Sequence, residues 1–123
     1  MFMQQDWLMR QIQMLVAVIA QLIFHRSAVA YALENEEHPT RTDRLHQRLL
    51  ELIEAGALRE AERLLLNSLA PDDRQQLLLA VDFYQRLNGL SDERLEQCGF
   101  SREGIDRGLH GALEQCGVHL PGY

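Results

Sequence analysis

The chain has 123 residues, is 46 % hydrophobic and carries a formal charge of −6. This is enough apolar material for one self-folding domain without staples, and too much for an intrinsically disordered chain. The acidic balance argues against a nucleic-acid partner, and because every basic residue apart from the histidines is arginine, Schiff-base and phosphate-loop lysine chemistry is excluded.

Leucine, alanine, glutamine, glutamate and arginine dominate, and no stretch alternates apolar with polar residues over a strand's length. The composition predicts an all-α fold: a small bundle of about five helices with a long N-terminal helix and a repeat-like helical hairpin, forming one domain over residues 1–123. Cys98 and Cys116 are too few for a disulfide framework and too far apart for a redox or zinc-knuckle pair. Both read as core-edge thiols near helix ends, in a reducing cytoplasm.

Residues 1–33 read as a long N-terminal helical segment. Met14 to Phe24 is strongly apolar and is followed by Ser27-Ala28-Val29-Ala30, a superficial likeness to a signal peptide. Asp6 ahead of the run, and Gln11, Gln13 and Gln21 around and within it, argue against export, and a membrane span needs about 20 uninterrupted apolar residues. As a helix, the segment places Leu8, Ile12, Leu15, Ile19 and Leu22 on one wide face, with Met9, Val16, Ala20 and Ile23 beside them. Trp7, Met14 and Val18 fall on the opposite side as a second, narrower stripe mixed with Gln11 and Gln21. A helix that is apolar on two sides needs cover on two sides, from its own domain or from a second chain.

Glu34-Asn35-Glu36-Glu37-His38-Pro39 breaks the pattern, so residues 34–40 read as an acidic linker ahead of the hairpin and C-terminal helices of residues 41–123. Thr40 or Thr42 caps the next helix, whose apolar face is Leu45, Leu49, Leu50, Leu52 and Ile53 and whose stop is Gly56. Gly56-Ala57-Leu58-Arg59-Glu60-Ala61 with Leu65 resembles the turn and second helix of a tetratricopeptide repeat. Leu49 occupies that repeat's small-residue position and Pro71 arrives early, which points to a single repeat-like hairpin and not a tandem array.

Pro71 and Asp72 open a further helix buried through Leu77, Ala80, Val81, Phe83, Tyr84 and Leu87, and Asn88-Gly89 ends it. Asp82 and Arg86, four apart, read as a surface ion pair contributing about 0.3–0.5 kcal/mol, and Leu66 and Leu78 as isolated exposed leucines. Ser91 caps a short helix and Ser101 the last one, where Ile105, Leu109, Ala112, Leu113 and Cys116 form the core face. Gly104, Gly108 and Gly111 cluster beside that face and imply either close approach of another backbone or a weakly stable end.

The chemistry-bearing residues form no recognisable constellation. Cys116 and His119 fall short of a four-ligand zinc site, and His46 reads as a core-edge histidine with its polar tip in water. Carboxylates such as Glu51 and Glu54 are scattered along solvent faces, and no nucleophile elbow, metalloprotease helix or phosphate loop is present. No metal, cofactor or catalytic residue is expected.

Asp6-Trp7-Leu8-Met9-Arg10-Gln11-Ile12, Leu49-Leu50-Glu51-Leu52-Ile53 with Gly56, Asp82-Phe83-Tyr84 with Leu87-Asn88, and Leu90-Ser91-Asp92 leading to Gly99-Phe100-Ser101-Arg102-Glu103 run in order along most of the chain. Together they resemble an uncharacterised domain-of-unknown-function family of short helical bacterial proteins, mainly from Firmicutes. The resemblance implies a helical fold and a bacterial cytoplasmic setting, and transfers no catalytic residue. The leading expectation is a non-enzymatic interaction or scaffold protein, a homodimer with Trp7, Met14 and Val18 at its interface, able to dock an unidentified protein partner but neither nucleic acid nor membrane. The alternative is a regulatory-ligand domain with an apolar pocket lined by Phe83 and Tyr84.

Overall fold

The computed structural model describes residues 2–25, 30–31 and 39–120, with side chains from Asp6 onward. Six helices follow in chain order: α1 (Phe2–Leu22), α2 (Arg41–Glu54), α3 (Leu58–Ser68), α4 (Arg74–Asn88), α5 (Asp92–Gln97) and α6 (Arg102–Gln115). No strand occurs among the described residues, so the fold is all-α, with one helix more than the expected count. The 34–38 part of the expected linker lies outside the described residues. The expected 1–33 helical segment ends at Leu22, and Ala30 and Tyr31 are not helical.

Local chemistry sets most boundaries. Thr40 accepts the Asp43 amide while Asp43 accepts the Thr40 amide, a reciprocal capping box that satisfies two otherwise orphaned donors. Asp73, Ser91 and Ser101 cap α4, α5 and α6 by the same side-chain-to-amide bond, each contributing about 1 kcal/mol. The first cap, Asp73, places the start of α4 at Arg74, two residues beyond the expected Pro71-Asp72 opening. Between α2 and α3, Gly56 turns the chain at φ +81, a left-handed conformation costly for a residue with a Cβ.

The central element is α4, which packs against α1, α2 and α6, while α3 packs back on α2 as a hairpin and α1 also meets α6. A helix covered on three sides has almost no water-facing side, and every residue from Leu77 to Tyr84 is buried. This corrects Leu78, which is a core residue, and Leu66, which is half-buried against the core. From α1, Ile12, Leu15, Val16, Ile19 and Ala20 enter the core, and from α6 Ile105, Leu109, Ala112 and Leu113. Burying a side chain of this size stabilises the fold by about 1.5–3 kcal/mol.

A buried arginine locks the corner where α4, α5 and α6 meet. Arg102 is 3 % exposed, and its guanidinium donates to the backbone carbonyls of Asn88 (2.7 Å) and Leu90 (2.8 Å) and to the Asp92 carboxylate (3.0 Å). Asn88 in turn donates to the Met9 carbonyl at 3.1 Å, which extends the corner to α1.

Candidate functional site

Three places on this frame bear on function: an uncovered stripe on α1, a buried polar cluster beside α2 and α4, and a groove between α3 and α6.

With its core face turned inward, α1 presents Trp7 (59 % exposed), Met14 (56 %) and Leu22 (56 %) outward, with the half-buried Val18 between the last two. At about 100° per residue these four fall within one narrow sector of the helix. Leu22 is therefore a correction: it follows the core spacing but stands at the helix end, open to solvent on the stripe's side. Asp6 and Arg10 are the charged residues of α1, so the stripe runs through a nearly uncharged surface. No helix among the described residues is long and apolar enough to cross a membrane.

The second place gathers residues that read as isolated and overturns one of those readings. Asp82 is buried, with 3 % of its side chain exposed, so its 2.7 Å ion pair with Arg86 is no surface pair. Its other oxygen accepts the Tyr31 amide at 3.2 Å. His46 sits at the edge of the core, 9 % exposed: Nδ1 lies 3.9 Å from the Asp82 carboxylate and the ring packs at a tilt against Tyr31 with centroids 4.6 Å apart. The Tyr31 hydroxyl donates to Asp43, the first-turn partner of Thr40 in the α2 capping box. Burial holds the His46 imidazolium below its ordinary range against the pull of Asp82, and the Tyr31 and Thr40 hydrogen bonds hold the Asp43 carboxyl below the usual carboxylate range. Asp43, His46 and Asp82 hold Tyr31 against α2 and α4. No buried side-chain nitrogen or oxygen among the described residues lacks a partner, as a satisfied structural network requires.

Phe83 and Tyr84, expected to line a pocket, are instead core residues at 1 % and 0 % exposure and pack edge to face with centroids 5.1 Å apart. They are the two largest fully buried side chains, enclosed because α1, α2 and α6 surround α4. Tyr84 keeps one functional end: its hydroxyl donates to Glu62 at 2.7 Å. Burial and the adjoining carboxylate push its phenol far above the ordinary value, so it remains a donor.

That bond lies under the third place. A groove of about 580 Å³ runs between α3 and α6, with Arg59, Glu62 and Leu66 on one side and Phe100, Arg107 and the glycine row on the other. A Cβ on Gly108 would collide with Glu62 Oε2 and the Tyr84 ring, so this glycine is required by the close approach of two side chains, where the sequence suggests another backbone. A Cβ on Gly111 would meet nothing within 4 Å. The groove was not legible from sequence because Arg59 reaches it by bonding the Gly99 carbonyl, forty positions away.

Cys98 and Cys116 are free thiols, and burial raises Cys116 above the ordinary thiol range, which leaves it unreactive. Among the described residues no three His, Cys, Asp or Glu side chains are grouped to hold a metal ion.

Fold and surface together define an all-α bundle with an uncovered helix stripe and an open groove. The chain belongs to DUF6483, a family of unknown function whose pattern matches residues 2–117. No curated protein and no solved structure matches it. The sequence segments that carried the resemblance have a physical basis here, since Met9, Asn88, Leu90, Asp92 and Arg102 are the residues of the buried-arginine corner.

Proposed function

We propose that the chain is a non-enzymatic interaction protein that acts as a homodimer through α1. The observation that carries this reading is the alignment of Trp7, Met14 and Leu22, each more than half exposed, on a helix whose opposite face is core. Gln11 and Gln21 interrupt the stripe, but large apolar side chains aligned and exposed in this way are the kind of surface that closed twofold pairing covers. An antiparallel pairing about Met14 sets Trp7 of one copy against Leu22 of the other, so the two ends of the stripe complement each other. Tryptophan and methionine are enriched at such contacts. The near-neutral surface of α1 lets two chains of charge −6 meet without placing like charges in the contact. Two unpaired thiols accord with a cytoplasmic setting.

Light scattering over a concentration series tests the reading. A mass of twice the chain's at high micromolar concentration, falling towards the monomer on dilution, is expected. A monomer throughout the series refutes it.

A further inference from the structure

We propose that the groove between α3 and α6 is a binding site for an amphipathic organic anion, an aromatic or aliphatic body bearing a carboxylate or a similar oxyanion. The site shares no residue with the α1 stripe and does not depend on dimerisation.

Its size is the first reason: about 580 Å³ falls within the range of about 300–1,000 Å³ typical of small-molecule sites. The second is charge. Arg59 and Arg107 both line the groove, and neither forms an ion pair among the described residues. In contrast, Arg86 and Arg102 are each held by a carboxylate. Arg59 donates Nε to the Gly99 carbonyl at 3.0 Å, which fixes its guanidinium in place and leaves the two terminal nitrogens to a ligand. The lining's one acid, Glu62, has an oxygen already occupied by the Tyr84 hydroxyl. The groove is thus locally cationic on an acidic protein, and a planar guanidinium fork matches a carboxylate better than any other side chain does.

The third reason is the apolar wall. Phe100 and Leu66 are half-buried and present carbon surface to the same groove. Between them the α6 backbone is bared at Gly111, where a side chain would meet no atom within 4 Å. A glycine in a helix interior costs about 1 kcal/mol relative to alanine, and nothing inside the domain requires this one. Its effect is to deepen the groove.

The probe is 8-anilinonaphthalene-1-sulfonate, an aromatic sulfonate, titrated into the full chain with amide NMR detection. Saturable one-to-one binding is expected, with shifts at the Gly104, Gly108 and Gly111 amides. Arg107→Gln, which breaks no internal bond, should weaken binding about tenfold, the loss of one charge-assisted hydrogen bond. N-phenyl-1-naphthylamine, the same rings without the sulfonate, should bind unmodified protein about tenfold more weakly for the same reason. Gly111→Leu should exclude the probe while amide spectra show an intact fold. Equal affinity for the charged and neutral probes, unchanged binding to Arg107→Gln, or shifts confined to α1 would each overturn the proposal.

Discussion

Arg102 and Asn88 are joined twice: one guanidinium nitrogen donates to the Asn88 backbone carbonyl at 2.7 Å and to its side-chain oxygen at 2.9 Å. The pair closes the end of α4 onto the start of α6, and Asp92, with 49 % of its side chain exposed, supplies the countercharge. Replacing Arg102 with alanine leaves buried carbonyls without donors and opens a void, and is expected to destabilise the fold by about 3–5 kcal/mol. Lysine should recover only part of this, because a point charge with three donors cannot reproduce a planar fork. Urea midpoints at unchanged slope measure both. Full stability in the lysine variant would show that charge alone, and not the fork, holds the corner.

Gly108 and Gly111 lie three residues apart on α6 yet should respond to alanine with opposite sign. At Gly108 the new methyl meets Glu62, which can swing away, and the ring of Tyr84, which is fully enclosed and cannot. The overlap should outweigh the helix-propensity gain and cost about 1–3 kcal/mol. At Gly111 there is open space, and alanine should stabilise by about 1 kcal/mol. Thermal unfolding of the two single variants decides it, and the same sign at both positions contradicts the packing described.

The polar cluster makes stability depend on pH in two separate windows. His46 faces Asp43 from its own helix, Asp82 and Arg86 from α4, and the Tyr31 ring. Burial lowers its pKa from 6.5, so on acidification the unfolded chain binds a proton before the folded one does. The associated stability is complete above 6.5 and is lost as pH falls through the interval down to the folded value. Asp43, lowered from 3.8 chiefly by the Tyr31 hydroxyl, contributes stability above that value that disappears as pH falls through its folded pKa. Exchanging His46 for glutamine should abolish the first window and leave the second. Urea midpoints at about pH 7.5 and about pH 5.5 read the first window directly, and an unchanged loss in the glutamine variant assigns it to another group.

What could be read in advance depended on how local its cause was. Ser91 and Ser101 declared their caps, and the α2 cap was narrowed to Thr40 or Thr42, because a side-chain oxygen two or three residues from an orphaned amide is enough to form one. The inward residues of α1 and α6 followed from helical spacing alone. Asp82 did not, although it sits inside the run Leu77-Leu78-Leu79-Ala80-Val81-Asp82-Phe83-Tyr84. A run apolar on every side belongs to a helix covered on every side, so the carboxylate within it had to be buried and paired. Its partner Tyr31, fifty-one positions earlier, is set by the tertiary fold. The groove failed to show for the same reason, since Arg59 and Arg107 are brought together only when the α2–α3 hairpin and α6 settle on the same frame.

Two pairs of residues on α1 should separate the folding role of this helix from its proposed binding role. Leu15 and Ile19 are buried at 1 % and 0 %, and alanine at either removes packed methyl groups and leaves a cavity, at about 2–5 kcal/mol per site. The double variant is expected to lose its cooperative melting transition. Met14 is exposed and Val18 half-buried on the outward stripe, where the two glutamates in a monomer should cost about 1–2 kcal/mol together and leave a cooperative melt. In a twofold dimer the same two changes place four carboxylates in one contact, and burying unpaired charge there is strongly unfavourable. Light scattering should therefore give a helical, cooperatively melting monomer for Met14→Glu with Val18→Glu. A dimer that survives both glutamates moves the interface off α1. If Leu15→Ala with Ile19→Ala only dissociates a dimer and leaves the melt intact, the two faces of the helix have exchanged roles.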